Sequence, residues 1–226
     1  MADAGQPAKI RLSTTPSPEA LATLKLGDIV FLDGLIYTGR EGVYMRAVDD
    51  GEAIPLDLPK ESAANFHCSP AAVQREDGSF DMGAVTATAS FRFSKWIDRW
   101  FEISGAKLII GKGGMSPTDY KTKFVPHGAI YLTTVGYGTG ALLGRGIKKV
   151  HGVHWRQELG LAQAMWVIEA ENMGPFIVAS DKDGNCLFER ENKKIAANLE
   201  KAYEGTRPAV LKRYGETDDR TDEVIG

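Results

Sequence analysis

One turn holds the residues of this chain best suited to chemistry. Residues 106–110 form a short apolar run with two isoleucines, the mark of a buried strand. Gly111, Gly113 and Gly114 then surround Lys112. Ser116, Pro117 and Asp119 follow, an N-cap, a proline at the first helical position and an acid at the third. A strand that ends in a turn without side-chain bulk and opens into a helix presents backbone N–H groups and a positive helix end, and Lys112 adds a full charge. Such a turn receives an anionic group, phosphate or carboxylate. A plain strand-to-helix turn with a solvated lysine fits the same residues. The spacing of a P-loop is absent, because no Ser or Thr directly follows Lys112.

Three further groups bear on chemistry. Arg40 stands at the start of a predicted helix, where a cation is electrostatically out of place, so it is either solvated or has an anionic partner. Gly136, Gly138 and Gly140 follow an apolar strand and resemble a dinucleotide-binding turn, with the third glycine one position too early. A nucleotide site there also needs an acid about 20 residues on at a strand end; Glu158 has the distance but falls in a predicted bend. His67, His127, His151 and His154 are scattered, and His151 and His154 would face opposite sides of an extended stretch, so no role is assigned to them.

Bulk composition excludes several classes. The chain has 226 residues, enough for one substantial domain, and its net charge of −3 argues against a general nucleic-acid binder. No apolar run suffices to span a membrane, and the first residues lack the features of a secretory signal, which points to a cytoplasmic setting. The two cysteines, Cys68 and Cys186, lie far apart and read as buried thiols. They are too few for this chain alone to hold an iron–sulfur cluster, and no clustered Cys and His ligands suggest a metal site.

The elements that must position these groups read in order as follows. Residues 1–9 are expected to fray. A capped helix opens at Ser17 and ends near Gly27, residues 28–33 form a strand, and Gly34 turns the chain into residues 35–38. A helix over 41–50, a strand over 63–68, a turn at 76–79 and a strand over 80–90 follow. The last is crowded with Ala, Thr and Ser, so that something must approach it closely; Thr88 alone reads equally as a residue filling a small space. Residues 91–104 form an amphipathic helix with Trp96, Trp100, Phe101 and Ile103 inward. Strands over 129–135, 164–170 and 176–180 come next, and the Asp-Gly turn at 183–184 pairs the last with residues 186–188 as a hairpin. A polar helix over 193–204 and an acidic tail from Gly215 close the chain. Alternating strands and helices indicate a mixed α/β fold without internal repeats, in a single domain over residues 1–226.

Several pieces together resemble one family. Leu26-Gly27-Asp28 with Gly34 and Gly39-Arg40, the loop from Thr88 to Arg92, Gly111-Lys112-Gly113, and Glu158-Leu159-Gly160 through Ala164-Met165-Trp166 to Asp183-Gly184-Asn185 occur in order and at fitting intervals. Over about residues 20–190 they resemble the beta subunit, equivalently the C-terminal domain, of class I fumarases and L-tartrate dehydratases. The resemblance implies a swivelling β/β/α domain with a mixed sheet, and reversible dehydration of a 2-hydroxy dicarboxylate. It also implies a 4Fe–4S cluster held by an alpha subunit and an (αβ)2 heterotetramer. Thr88 then matches a catalytic base and Lys112 an active-site lysine. Arg40 and Arg92 match carboxylate-binding arginines, with Gly111 and Gly113 flanking the lysine. Guanidinium groups suit this task because they bind carboxylates through two parallel bonds.

The departures are specific. The family's Gly-Arg-Asp-x-x-His reads Gly39-Arg40-Glu41-Gly42-Val43-Tyr44, the Gly-Pro-Thr-Thr loop reads Thr86-Ala87-Thr88-Ala89, and Phe93 replaces a methionine. Fold and reaction class tolerate these changes, whereas substrate identity need not. A non-catalytic assembly or regulatory relative with the same anion pocket is the alternative.

Overall fold

A computed structural model describes residues 6–136 and 138–205. The strands are β1 (Lys9–Ser13), β2 (Ile29–Thr38), β3 (Ala64–Phe66), β4 (Cys68–Gln74), β5 (Phe80–Ala87), β6 (Leu108–Gly111), β7 (Ile130–Thr134), β8 (Ile147–His154) and β9 (Met165–Ser180). The α-helices are α1 (Pro18–Thr23), α2 (Glu41–Tyr44), α3 (Leu58–Glu61), α4 (Ser94–Ser104), α5 (Pro117–Asp119), α6 (Gly140–Arg145), α7 (Arg156–Gln163) and α8 (Leu187–Tyr203). Residues through Glu189 form one compact unit, which carries both sheets; those from Arg190 form a second, to which most of α8 belongs.

Seven strands make one mixed sheet in the order β1-β2-β3-β6-β7-β9-β8, and β2 also pairs with β9. That extra pairing closes β2, β3, β6, β7 and β9 into a barrel-like ring. Neighbours from β1 to β7 run parallel, while β9 runs antiparallel to β2, β7 and β8. β4 and β5 form a separate antiparallel hairpin.

Alternation along the strands divides the apolar residues between two cores. Ile36, Leu108, Ile110, Ile130, Leu132, Trp166 and Ile168 enter one, with side chains from the hairpin. Tyr37, Ile109, Tyr131, Met165 and Val167 enter the other, with Trp96, Trp100 and Phe101 of α4. Successive residues of a strand point to opposite faces, so a sheet covered on both sides needs unbroken apolar runs, as β6 and β7 have.

The α/β class with a mixed sheet holds, while several local expectations change. Gly34 does not turn the chain. It lies within one continuous β2, where register shifts against β9 between Val30 and Gly34 bend the strand. The two strands expected over 164–170 and 176–180 are halves of one 16-residue β9. The expected hairpin with 186–188 reduces to a single bridge, Ser180 to Cys186, because Leu187 already starts α8. Glu158 lies in α7, which is helical on both sides of a break at Gly160, so the bend shrinks to one residue. The acidic tail from Gly215 lies outside the described residues.

Candidate active site

Two segments run side by side just past the ends of their strands. β5 continues into Thr88–Ser90 and β6 into Lys112. The Thr88 N–H donates to the His67 carbonyl at 2.7 Å, the Lys112 N–H to the Thr88 carbonyl at 3.2 Å, and the Ser90 N–H to the Lys112 carbonyl at 3.2 Å. Backbone bonds thus bring Thr88, Gly111 and Lys112 together. Gly111 is required by space: a Cβ there would lie 2.0 Å from Ser90 Oγ and 2.7 Å from the Tyr131 hydroxyl. Gly113 has φ of +75° with open space around it, so backbone conformation selects glycine there.

A cleft of about 590 Å³ opens beside this junction. Thr86, Ala87, Ala89, Lys112 and Gly113 line it together with Thr134, Gly136, Gly138 and residues of α6. Lys112 is the one charged residue among the described lining, and no ion pair within the described residues holds it. Thr88 is buried, and its hydroxyl makes no hydrogen bond to another described residue.

The two arginines sit differently. Arg92 is exposed on a short 3-10 turn, Ser90–Phe93, with its guanidinium 5.5 Å from the centre of the Phe93 ring. Arg40 caps α2, and its guanidinium donates to Ser69 Oγ and, at 3.1 Å, to the Ala162 carbonyl. The anionic partner considered for Arg40 is therefore replaced by neutral oxygens, and its buried Nε has no hydrogen-bond partner among the described residues. Neither arginine lines the cleft.

The helix expected to aim its positive end at the lysine turn is a three-residue α5, continued by a π turn, Tyr120–Phe124, and a 3-10 turn, Val125–His127. Its N-terminus is already satisfied: Ser116 Oγ accepts from the Asp119 N–H at 3.0 Å and donates to the Asp119 carboxylate at 2.8 Å. Burial pushes the Asp119 carboxyl up, but hydrogen bonds from Lys123, Ser94 and Ser116 prevail and hold it below the usual carboxylate range. Lys112 is therefore the group at this turn left to meet an anion in the proposal below.

Sequence reasoning missed a buried polar chain beneath the site. Asn65 Nδ2 donates to the Tyr44 hydroxyl at 2.8 Å, and Tyr44 meets His67 Nε2 at 2.6 Å. His67 Nδ1 meets Ser90 Oγ at 2.7 Å, and the Tyr131 hydroxyl donates to Ser90 Oγ at 2.7 Å. All five side chains are fully or almost fully buried. Burial lowers the His67 pKa to about 3, which leaves the ring neutral, and raises those of the Tyr44 and Tyr131 phenols. A signal existed: Asn65 and His67 are polar residues two apart in an apolar strand, hence on one face.

Cofactor chemistry finds little on this chain. Cys68 and Cys186 are free and buried in different cores, and burial pushes the Cys68 thiol well up despite Arg40 nearby. Among the described residues no three His, Cys, Asp or Glu gather as metal ligands. An iron–sulfur cluster takes thiolates from about three or four cysteines, so the residues present do not fit one. The nucleotide reading also falls away. The strands on either side of α6, β7 and β8, are separated in the sheet by β9, antiparallel to both, so they are not the adjacent parallel pair of a dinucleotide-binding βαβ unit, and Glu158 lies in a helix.

Comparison with known proteins agrees with this geometry. Residues 1–191 match the family model described as fumarase C-terminus. The L(+)-tartrate dehydratase subunit beta of Escherichia coli is 33% identical over 190 residues, which cover 83% of this chain and 90% of that one. A Methanocaldococcus jannaschii protein provisionally named as the same subunit is 35% identical over 179 residues, 78% of this chain and 89% of that one. A Geobacillus stearothermophilus protein, provisionally named a class I fumarate hydratase, is 30% identical over 199 residues, 88% of this chain and 37% of that one. With the family model spanning most of its length, this chain belongs to the fumarase C-terminus family.

Proposed function

We propose that this chain is the beta subunit of a hydro-lyase of the fumarase and tartrate dehydratase class, which reversibly dehydrates a 2-hydroxy dicarboxylate. One observation carries the reading: the backbone bonds between residues 88–90 and Lys112 join, beside an open cleft, a lysine without an ion-pair partner and a threonine hydroxyl without a hydrogen-bond partner among the described residues. Names of relatives similar along most of both chains support it.

Within this reading Lys112 binds a substrate carboxylate and stabilises the negative charge that builds up as the adjacent proton leaves. The described cleft offers one cation, so the second carboxylate is met by Arg92 from outside the described lining or by the partner. Arg40, already engaged with Ser69 and Ala162, supports the wall between α2 and β4 and donates to substrate only if those bonds open. Thr88, the proposed base, keeps its hydroxyl free of competing bonds from the described residues. The 4Fe–4S cluster is assigned to an alpha subunit, since this chain's thiols are buried apart. An (αβ)2 assembly, a cytoplasmic setting and one functional domain complete the proposal. The last is supported by the family match over residues 1–191. No described helix is long and apolar enough to cross a membrane.

Arg40's engagement with neutral oxygens favours one alternative, a non-catalytic relative that binds an anion. Anaerobic reconstitution with the alpha subunit separates the two readings. The enzyme predicts turnover that needs both chains. Lys112→Met should then lower kcat by about 100- to 1000-fold with a smaller change in KM. Thr88→Val should show a comparable loss, and Arg92→Lys a loss of about 10- to 150-fold in kcat/KM. Absence of turnover by the wild-type pair on any 2-hydroxy dicarboxylate selects the non-catalytic relative, and turnover by this chain alone overturns the partnership.

A further inference from the structure

His67 touches the proposed catalytic segment at three points. Its carbonyl accepts from the Thr88 N–H at 2.7 Å, its Nδ1 meets Ser90 Oγ at 2.7 Å, and its ring packs edge-on against Phe93 with centroids 4.8 Å apart. Its own N–H donates to the Ile110 carbonyl at 2.8 Å, which ties these contacts to β6 one residue before Gly111. The far side of the ring system is equally constrained. Nε2 meets the Tyr44 hydroxyl, and the Tyr44 ring stacks on Trp96 with centroids 5.8 Å apart and meets Trp100 edge-on at 4.9 Å.

The consequence is visible in the turn that follows. Ser90 and Phe93 are buried, and both lie on His67; Phe91 and Arg92 between them project outward. A turn held at its first and last residues fixes the direction of its middle pair, so the imidazole, through Ser90 and Phe93, sets the outward course of Arg92, while the backbone carbonyl of the same residue holds Thr88.

The geometry points to His67, with Tyr44 and Ser90, as the positioning element of the Thr88–Arg92 segment: it acts through Ser90 and Phe93 and touches no substrate. This deepens the hydro-lyase reading and rests on it for the kinetic part of its test. A neutral imidazole suits the task, since it satisfies one donor and one acceptor without burying a charge. Thr88 and Lys112 share backbone bonds, so a slack segment would displace both.

Substitutions at His67 can separate its two nitrogens. An asparagine amide falls near the place of Nδ1 and a glutamine amide near that of Nε2. His67→Asn should therefore keep the Ser90 bond and stay within a few-fold of wild-type kcat in the reconstituted pair. His67→Gln and Ser90→Ala should lose about 100-fold in kcat, the scale of an ångström-level misplacement, with little change in KM. Their double variant should be no worse than Ser90→Ala alone, which already breaks the His67 bond together with the one from Tyr131. A purely structural His67 predicts a lowered Tm with unchanged kcat per assembled pair in all variants, and that result overturns the proposal. Amide hydrogen exchange on the full beta chain alone provides a second arm. Residues 88–93 should exchange at least about tenfold faster in His67→Gln, with β6 and β7 unchanged. Unaltered protection of residues 88–93 also overturns it. If the wild-type pair has no turnover, the hydro-lyase reading fails on its own, and the exchange arm still decides the positioning role.

Discussion

Two glycine-rich turns border the same cleft and are built on different principles. In the turn from Gly111 to Gly114 the chain is gripped from both sides. Ser90 and Tyr131 crowd Gly111, Lys112 is bonded to Thr88 and Ser90, and the Met115 N–H donates to the buried Tyr120 hydroxyl at 2.8 Å. In the turn that leads to α6, Gly136 and Gly138 have positive φ and open space around them. Crowding appears only where the helix begins to pack on β5: a Cβ on Gly140 would lie 3.0 Å from the Val85 carbonyl oxygen, and one on Gly144 2.0 Å from that of Gly83. Equal glycine content therefore conceals unequal roles. At Gly111 the first turn uses glycine to let residues 88–90 come close. The second uses it to shape backbone and to seat a helix on a strand.

The largest effect expected from this contrast is at Gly111. Gly111→Ala forces a methyl into Ser90 Oγ and should destabilise the chain by about 3 kcal/mol, the upper part of the overpacking range. It should also abolish turnover of the pair, since the Thr88–Ser90 segment must move. Denaturant unfolding and kcat/KM measure the two effects, and a loss no greater than that of Gly136→Ala would erase the distinction between the turns.

The second effect is a pH dependence that sharpens the first turn's reliance on His67. Its folded pKa lies near 3, below the ordinary value of 6.5, so the unfolded chain binds the extra proton between those two values. Stability from this group is thus complete above pH 6.5 and falls as pH drops, by about 1.4 kcal/mol at pH 5.5 for one proton. Urea unfolding between pH 7.5 and 5.5 should show that decline in the wild type and a flatter profile in His67→Asn. Equal slopes would place the acid sensitivity in other groups.

Gly136→Ala should have the smallest effect on turnover. The site is roomy but left-handed, so the cost is the backbone penalty alone, about 1–2 kcal/mol, with kcat near that of the wild type. A kcat loss comparable to that of Gly111→Ala would show that the second turn also sets reacting groups.

Much of this was readable before any fold was known. Lys112 between glycines, after an isoleucine-rich run and before a Ser-Pro start, located the end of β6 and the charged rim of the cleft. Residues 91–104 announced α4 by periodicity, and Asn65-Phe66-His67 carried a polar stripe whose meaning was overlooked. Local pattern also misled. Gly34 looked like a turn and is part of a bulged strand, and the Asp-Gly signal at 183–184 promised a hairpin where α8 begins. In both places local preference was overruled by long-range pairing or packing: β2 is held by β9, and Phe188 packs within 3.0–3.2 Å of where a Cβ on Gly114 would sit.

By itself the sequence determined residue chemistry and local geometry: a lone cation in a bulk-free turn, too few thiols for a cluster, apolar runs fit for a sheet covered on both faces. Only the tertiary structure decided which groups meet. Parallel pairing of β2, β3, β6 and β7 brings Tyr44, His67, Ser90 and Tyr131, spread over nearly ninety positions, into one hydrogen-bonded chain beneath Thr88 and Lys112. The β2–β9 pairing leaves Arg40 bonded to Ser69 and Ala162, while Arg92 projects outward. The physical reason is that side-chain type sets what a group can do, while partners distant in the chain set what it is free to do; those partners are chosen by strand pairing, which no local window contains.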